Sequence, residues 1–115
     1  MHLPVKIARC WLALGWIAGD MNNVEARLVL GMELANYRAK PYRELVALIG
    51  SPRTIVVTGQ SGKLYQIEIQ ALWDDPKENN GILRVAGAID DGGIRAYMPL
   101  TDDFLLAPTG EFVGE

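Results

Sequence analysis

The sequence predicts an α+β fold: an N-terminal helix or helix pair packed on one face of a four- to five-stranded antiparallel β-meander. Three observations predict it. Apolar residues recur at helical spacing from position 24 to 38, and they alternate with polar ones from 65 to 71 within the longest strand. Turn-forming sequences then punctuate the chain from Arg53 to Val113. A helix with one apolar stripe and a sheet with one apolar face bury each other by packing together.

At 115 residues the chain is long enough for one domain with its own core. Half the residues are hydrophobic and 22% are charged, which is the composition of a globular protein and not of a disordered one. The formal net charge of −3 is unevenly spread: residues 51–115 carry five Lys/Arg against ten Asp/Glu, whereas residues 1–50 carry six against four. An acidic sheet half argues against nucleic-acid binding there, since phosphate contacts need clustered Lys and Arg. Cys10 is the only cysteine, so no intrachain disulfide and no thiolate metal site is expected, and a reducing, cytoplasmic setting is the simplest fit.

Residues 1–20 read as an apolar N-terminal extension or a docked helix, and residues 21–115 as a single α+β domain. The run Cys10 to Gly19 follows Lys6 and Arg9, as in a signal peptide, but bulky Ile17 fits the cleavage rule poorly. Ten residues are also too few to span a bilayer, so no membrane association is expected. Met21 and Met32 are further possible starts of the domain.

From Val24 to Arg38 the chain predicts a helix. Asn23 is a suitable N-cap, and Val24, Leu28, Met32 and Ala35 recur at helical spacing as one apolar stripe. A second stripe of Leu30, Leu34 and Tyr37 widens that face, so the helix is expected to be well buried. Pro41 suits the first turn of a second helix reaching Ile49, ended by Gly50 and Ser51-Pro52, with a single helix kinked at Pro41 as the rival.

Strands are expected near 53–59, 63–73, 82–89, 94–99 and 104–107. A three-residue loop Gln60-Ser61-Gly62 pairs Gly59 with Lys63, Val57 with Tyr65 and Ile55 with Ile67. The longest strand puts Tyr65, Ile67, Ile69, Ala71 and Trp73 on one side and Leu64, Gln66, Glu68, Gln70 and Leu72 on the other. A polar loop follows from Asp74 to Gly81. Asp91-Gly92 suits a two-residue type I′ turn, which would pair Ile89 with Ile94, Gly87 with Ala96 and Val85 with Met98. Pro108-Thr109-Gly110 is a turn before a short end segment at Phe112-Val113. Pro99 and Pro108 would protect sheet edges, because proline cannot donate to a ladder.

This register nominates one polar face. Pairing Trp73 with Leu83 puts Glu68 opposite Ala88, and the type I′ hairpin puts Arg95 opposite Ala88 and Tyr97 opposite Ala86. Glu68, Gln70, Arg84, Arg95 and Tyr97 then surround an alanine floor able to hold a peptide or a small polar ligand. The alternative is a solvated face carrying cross-strand ion pairs.

Three Asp-Asp pairs are the other candidates. Asp74, Asp75, Asp102 and Asp103 are expected at one end of the sheet and could bind a divalent metal or share a proton, whereas Asp90-Asp91 lies at the other end. Aspartate is also simply a good turn residue, and no calcium-loop spacing is present. Gly59 to Lys63 resembles the end of a phosphate-binding loop, but position 57 is valine where the first glycine is required, and a strand follows instead of a helix. His2 is the only histidine, which leaves Ser–His or Cys–His catalysis without a base inside the domain.

Pro41-Tyr42-Arg43-Glu44-Leu45, Tyr65-Gln66-Ile67-Glu68, Trp73-Asp74-Asp75, Ile89-Asp90-Asp91-Gly92-Gly93 and Pro99-Leu100-Thr101-Asp102-Asp103-Phe104 together resemble an uncharacterised small bacterial domain family with no named activity. The resemblance covers most of the chain after residue 40 and implies a stand-alone bacterial domain. The expected function is a non-enzymatic binding or regulatory module with a protein or small polar ligand as partner and no cofactor. A carboxylate-dependent enzyme and a protein that self-associates through an edge strand are the two alternatives.

Overall fold

The computed structural model describes residues 23–92 and 99–115. Two helices, α1 (Asn23–Arg38) and α2 (Tyr42–Val46), precede β1 (Arg53–Thr58), β2 (Leu64–Trp73), β3 (Leu83–Asp90), β4 (Leu100–Leu106) and β5 (Phe112–Val113). The strands form one open antiparallel sheet in the order β1-β2-β3-β4-β5, which is the expected meander.

The first hairpin has the expected register, with Val57 opposite Tyr65 and Ile55 opposite Ile67. Its loop closes through Gly59 N–H donating to the Lys63 carbonyl at 2.8 Å and Gly62 N–H donating to the Gly59 carbonyl at 2.9 Å. Gly62 takes φ of +88°, a left-handed conformation that costs glycine nothing. The β2–β3 pairing is also as expected: Trp73 faces Leu83 and Glu68 faces Ala88. Tyr65, Ile67, Ile69 and Ala71 are buried on the side that carries the helices, with Leu83, Val85 and Ile89 beside them.

The second hairpin differs from expectation. β3 pairs with β4 at 100–106, so Ile89 faces Leu100, Gly87 faces Asp102 and Val85 faces Phe104, while Ile94 and Ala96 lie outside the described residues. Gly92 has φ of +85°, yet Asn80 is the one non-glycine with positive φ among the described residues, so Asp91 does not complete a type I′ turn. Asp90 instead accepts the Gly92 N–H at 2.9 Å, closing an Asx turn that ends the strand. Alternation could not choose between the two partners, because Leu100, Phe104 and Leu106 present the same period as Ile94, Ala96 and Met98. One consequence is that Asp102 and Asp103 lie within a strand and not in a turn.

α1 carries Glu25 in its first turn and Arg38 in its last, each suited to the partial charge of that helix end. Its buried residues are Ala26, Leu30, Leu34 and Tyr37. Only part of the wide apolar face expected to be buried is so: Val24, Leu28 and Met32 are 71%, 64% and 72% exposed. The two stripes are about equally apolar, so periodicity leaves the rotation of the helix open. Packing decides it, because Gly87 provides a notch for Leu30 and Leu34. A Cβ at position 87 would lie 2.8 Å from Leu30 Cδ1, 3.0 Å from Ile69 Cδ1 and 3.3 Å from Leu34 Cδ2.

α2 is shorter than the expected 41–49 and is separate from α1. Pro41 stands at its N-cap in an extended conformation, which excludes one kinked helix. Leu45 and Leu48 are buried, and Ile49 makes a parallel bridge to Ala71 before Gly50 turns the chain at φ +77°. Tyr42 ties this helix to the β2–β3 loop by donating its hydroxyl to the Gly81 carbonyl at 2.6 Å. At the far edge of the sheet, Gly110 (φ +94°) turns β4 into β5. Phe112 meets Phe104 edge to face at 5.8 Å, and the Arg38 guanidinium lies 4.2 Å from the Phe112 ring centre while pairing with Glu115.

The notch is testable by a double-mutant cycle. Leu30→Ala is expected to cost about 2–5 kcal/mol as a cavity in the core. Gly87→Ala is expected to destabilise the native sequence but to be better tolerated in the Leu30→Ala background, with a coupling of about 0.5–3 kcal/mol in urea unfolding. Additive effects would show that Leu30 does not seat in the notch.

Candidate functional site

The face of the sheet opposite the helices is built by the second phase of the alternation. Ladder pairing sets Thr54, Glu68, Ala88 and Thr101 in one row across four strands, and Gln70, Ala86 and Asp103 in the next. Glu68, Gln70 and Arg84 therefore share the surface expected of them, with Ala86 and Ala88 as its floor. The third side differs. The positions expected for Arg95 and Tyr97 belong to Thr101 and Asp103, and Arg95 and Tyr97 themselves lie outside the described residues. The shift from 94–98 to 100–106 is an even number of residues, so the parity of the faces survives although the side chains change.

Arg84 lies at one end of this face and organises the aspartates. It donates to Asp74 Oδ1 at 2.7 Å and also pairs with Asp103. Asp74 first, and Asp103 after it, hold the guanidinium even more firmly protonated than usual. Asp75 serves a turn, its Oδ1 accepting the Lys77 N–H at 2.9 Å. Asp102 alternates with Asp103 and is therefore on the helix side of the sheet, where it accepts the Asp103 N–H at 2.8 Å. The structure thus brings Asp74 and Asp103 together around an arginine, and it separates Asp102 from them. No group of three His, Cys, Asp or Glu side chains placed to hold a metal ion occurs among the described residues.

A second polar constellation escaped the sequence. The Glu25 carboxylate accepts the Tyr65 hydroxyl at 2.6 Å, the Ser61 hydroxyl at 2.7 Å and the Ser61 N–H at 2.8 Å. These bonds hold the Glu25 carboxyl below the ordinary carboxylate range, Tyr65 contributing most. Burial, and then the bond to Glu25, pushes the Tyr65 hydroxyl well up. The approach is close enough that a Cβ on Gly59 would fall 2.7 Å from the Glu25 carboxyl carbon. The cluster pins the first hairpin loop to the start of α1. Only Gly59 hints at it in the sequence, and a glycine beside a turn has a more local explanation.

Beside this cluster is a groove of about 530 Å³ between α1 and the end of the β1–β2 hairpin, lined by residues including Val24, Leu28, Met32, Glu33, Val57 and Gly59. The outer edge of β1 lies next to it. Because Gly59 and Lys63 form a hydrogen-bonded pair, the ladder alternates so that Val57 and Ile55 bond to β2 while the backbone groups of Val56 and Thr58 turn outward. Val56 is 57% exposed and, among the described residues, no strand lies beyond β1.

Comparison with protein-family models, with curated proteins and with solved structures finds no match. This agrees with the resemblance to a family that has no named activity. No helix among the described residues is long and apolar enough to cross a membrane.

Two measurements probe these clusters. Glu25 is a carboxylate whose folded value is depressed from the ordinary 4.5, so its contribution is complete above the ordinary range and is lost as pH falls through the folded value. Urea unfolding is therefore expected to show a shallower loss of stability on acidification for Glu25→Gln than for the native chain; parallel pH profiles would remove the cluster from the account. Arg84→Gln is expected to cost no more than about 1 kcal/mol at neutral pH, because the ion pairs it breaks are exposed to solvent. A larger loss in the same assay would mean that the Asp74–Arg84–Asp103 bridge is structural and not a feature of the surface.

Proposed function

We propose that this protein is a non-enzymatic binding module that takes an extended segment of a partner protein along β1. The observation that carries this reading is the contrast between the two sides of the sheet. Folded proteins blunt sheet edges with short strands, prolines, bulges or inward-pointing charges. β5 follows that rule, being two residues long. β1 does not: its six residues Arg-Thr-Ile-Val-Val-Thr include a β-branched run of five, with no proline and no charge after Arg53. Such a strand offers outward N–H and C=O groups to an incoming chain, and alternate side chains offer selectivity. Thr54, Val56 and Thr58 share a face with Glu68 and Gln70, so a strand added at this edge extends the polar surface around Ala86 and Ala88.

A reducing, cytoplasmic setting in a bacterium is part of the same proposal, supported by the single cysteine and by the family resemblance. Small polar ligands fit the face less well, because the groove found among the described residues is on the helix side and not over the alanine floor. The carboxylate-enzyme reading gains nothing from the geometry, in which Arg84 lies between Asp74 and Asp103.

Val56→Pro tests the proposal cleanly. It removes an outward N–H that β2 does not use, so the variant is expected to fold, as read by an unchanged far-UV spectrum. A photo-crosslinker placed at Thr58 in the native chain is expected to capture a partner in bacterial lysate, and Val56→Pro is expected to abolish that capture. Equal capture by both chains would sink the edge reading. A concentration-dependent dimer in light scattering that Val56→Pro converts to monomer would identify the partner strand as β1 of a second copy.

A further inference from the structure

β1 is close to a palindrome. From Thr54 to Thr58 it runs Thr-Ile-Val-Val-Thr, and reading it backwards only exchanges Ile55 with Val57. A closed two-fold interface presents the same surface on both subunits, so it requires a patch that complements itself. An antiparallel strand meets that demand when residues equally far from one central position match. The outward backbone groups decide which positions can be central to a hydrogen-bonded pair. Val56 is one of them, and it stands at the middle of the palindrome.

We propose that the strand received at this edge is β1 of a second copy, paired antiparallel about Val56. This rests on the edge reading above and names its occupant. Each Val56 N–H then donates to the carbonyl of the partner's Val56, across a two-fold axis perpendicular to the sheet. On the polar face the exposed Val56 meets the partner's Val56, and Thr58 meets the partner's Thr54. On the helix side the half-buried Ile55 and Val57 fall opposite the partner's Val57 and the partner's Ile55, in the closer kind of pair. Apolar residues thus meet apolar ones, and threonine meets threonine. Val57 also lines the groove, so the groove of each copy comes next to the axis.

Charge supports the same register. Arg53 is the one charged residue of β1, and it is on the helix side, opposite the buried Ile69. In the pair, the partner's Arg53 comes opposite Gly59. The Glu25 carboxyl carbon lies there, 2.7 Å from where a Cβ on Gly59 would be. A guanidinium of one copy therefore approaches a carboxylate of the other at both ends of the interface. The two arginines are roughly 20 Å apart along the strand direction and are screened from each other. An axis at Ile55 or Val57 would set Val56 against threonine and take the partner's Arg53 away from Gly59. A pair of six-residue strands buries little surface, so the dimer is expected to be weak and to form with rising concentration. At lower concentration the outward amides stay open.

Mixed-chain disulfide trapping reads this register, in full chains that also carry Cys10→Ser. Chains with Ile55→Cys and chains with Val57→Cys are oxidised separately and together, after far-UV spectra show that each is folded. The mixture is expected to give a disulfide-linked dimer and each chain alone to lack it. Position 55 faces position 57 of the other copy and lies two residues from its own equivalent, beyond disulfide reach. Arg53→Glu is expected to raise the concentration at which the otherwise native chain dimerises in light scattering. No dimer in the mixture, or as much in either chain alone, would overturn the register. A native chain that stays monomeric at every concentration would overturn the second copy. The edge reading would outlive that result if Val56→Pro still abolished lysate capture at Thr58, and would fall with it if capture persisted.

Discussion

Everything in this structure depends on how α1 meets the sheet at Gly87. The absence of a side chain there lets Leu30 and Leu34 descend between β3 and its neighbours, and that contact fixes both the position and the rotation of the helix. Once α1 is seated, Ala26 and Tyr37 complete its buried face, while Val24, Leu28 and Met32 must point elsewhere. Polar contacts reinforce the same rotation from both ends. Glu25 reaches Ser61 and Tyr65 at the start of the helix, and Arg38 covers Phe112 and pairs with Glu115 at its end. These polar contacts are exposed or partly so and add modestly, whereas the buried leucines supply the larger share of the stability.

The functional features are what this seating leaves over. A helix whose body lies over β3 and β4 meets the first hairpin only at its start, so the outer edge of the β-branched strand stays accessible. It also leaves the groove on the helix side at the same end of the molecule. Edge and groove are neighbours that present different chemistry: the edge offers backbone hydrogen bonds in one plane, and the groove offers apolar area.

Local chemistry made a good part of this legible in the sequence. The period of two from Tyr65 to Trp73 and the glycine at position 62 settle β2 and its hairpin, because both act between residues close in the chain. The pairing of Trp73 with Leu83, and hence Glu68 over Ala88, was legible for the same reason. What was not legible depends on distant partners. Val24-Leu28-Met32 and Leu30-Leu34-Tyr37 are equivalent stripes until Gly87 and Glu25 choose between them. Likewise Ile89 could pair with Ile94 or with Leu100, since both continuations alternate. That ambiguity put Thr101 and Asp103 in the positions expected for Arg95 and Tyr97, which lie outside the described residues. Asp103 in a strand was unexpected because aspartate disfavours strands, yet Arg84 across the ladder compensates it.

The account stands on β1 being a paired strand on one side and an open template on the other. Amide hydrogen exchange of the isolated chain measures this residue by residue. The account predicts alternation: slow exchange at Ile55 and Val57, whose N–H groups bond to β2, and fast exchange at Val56 and Thr58, whose N–H groups face outward. Uniform protection along β1 in a monomeric sample would contradict it, because the outward groups would then already have a partner.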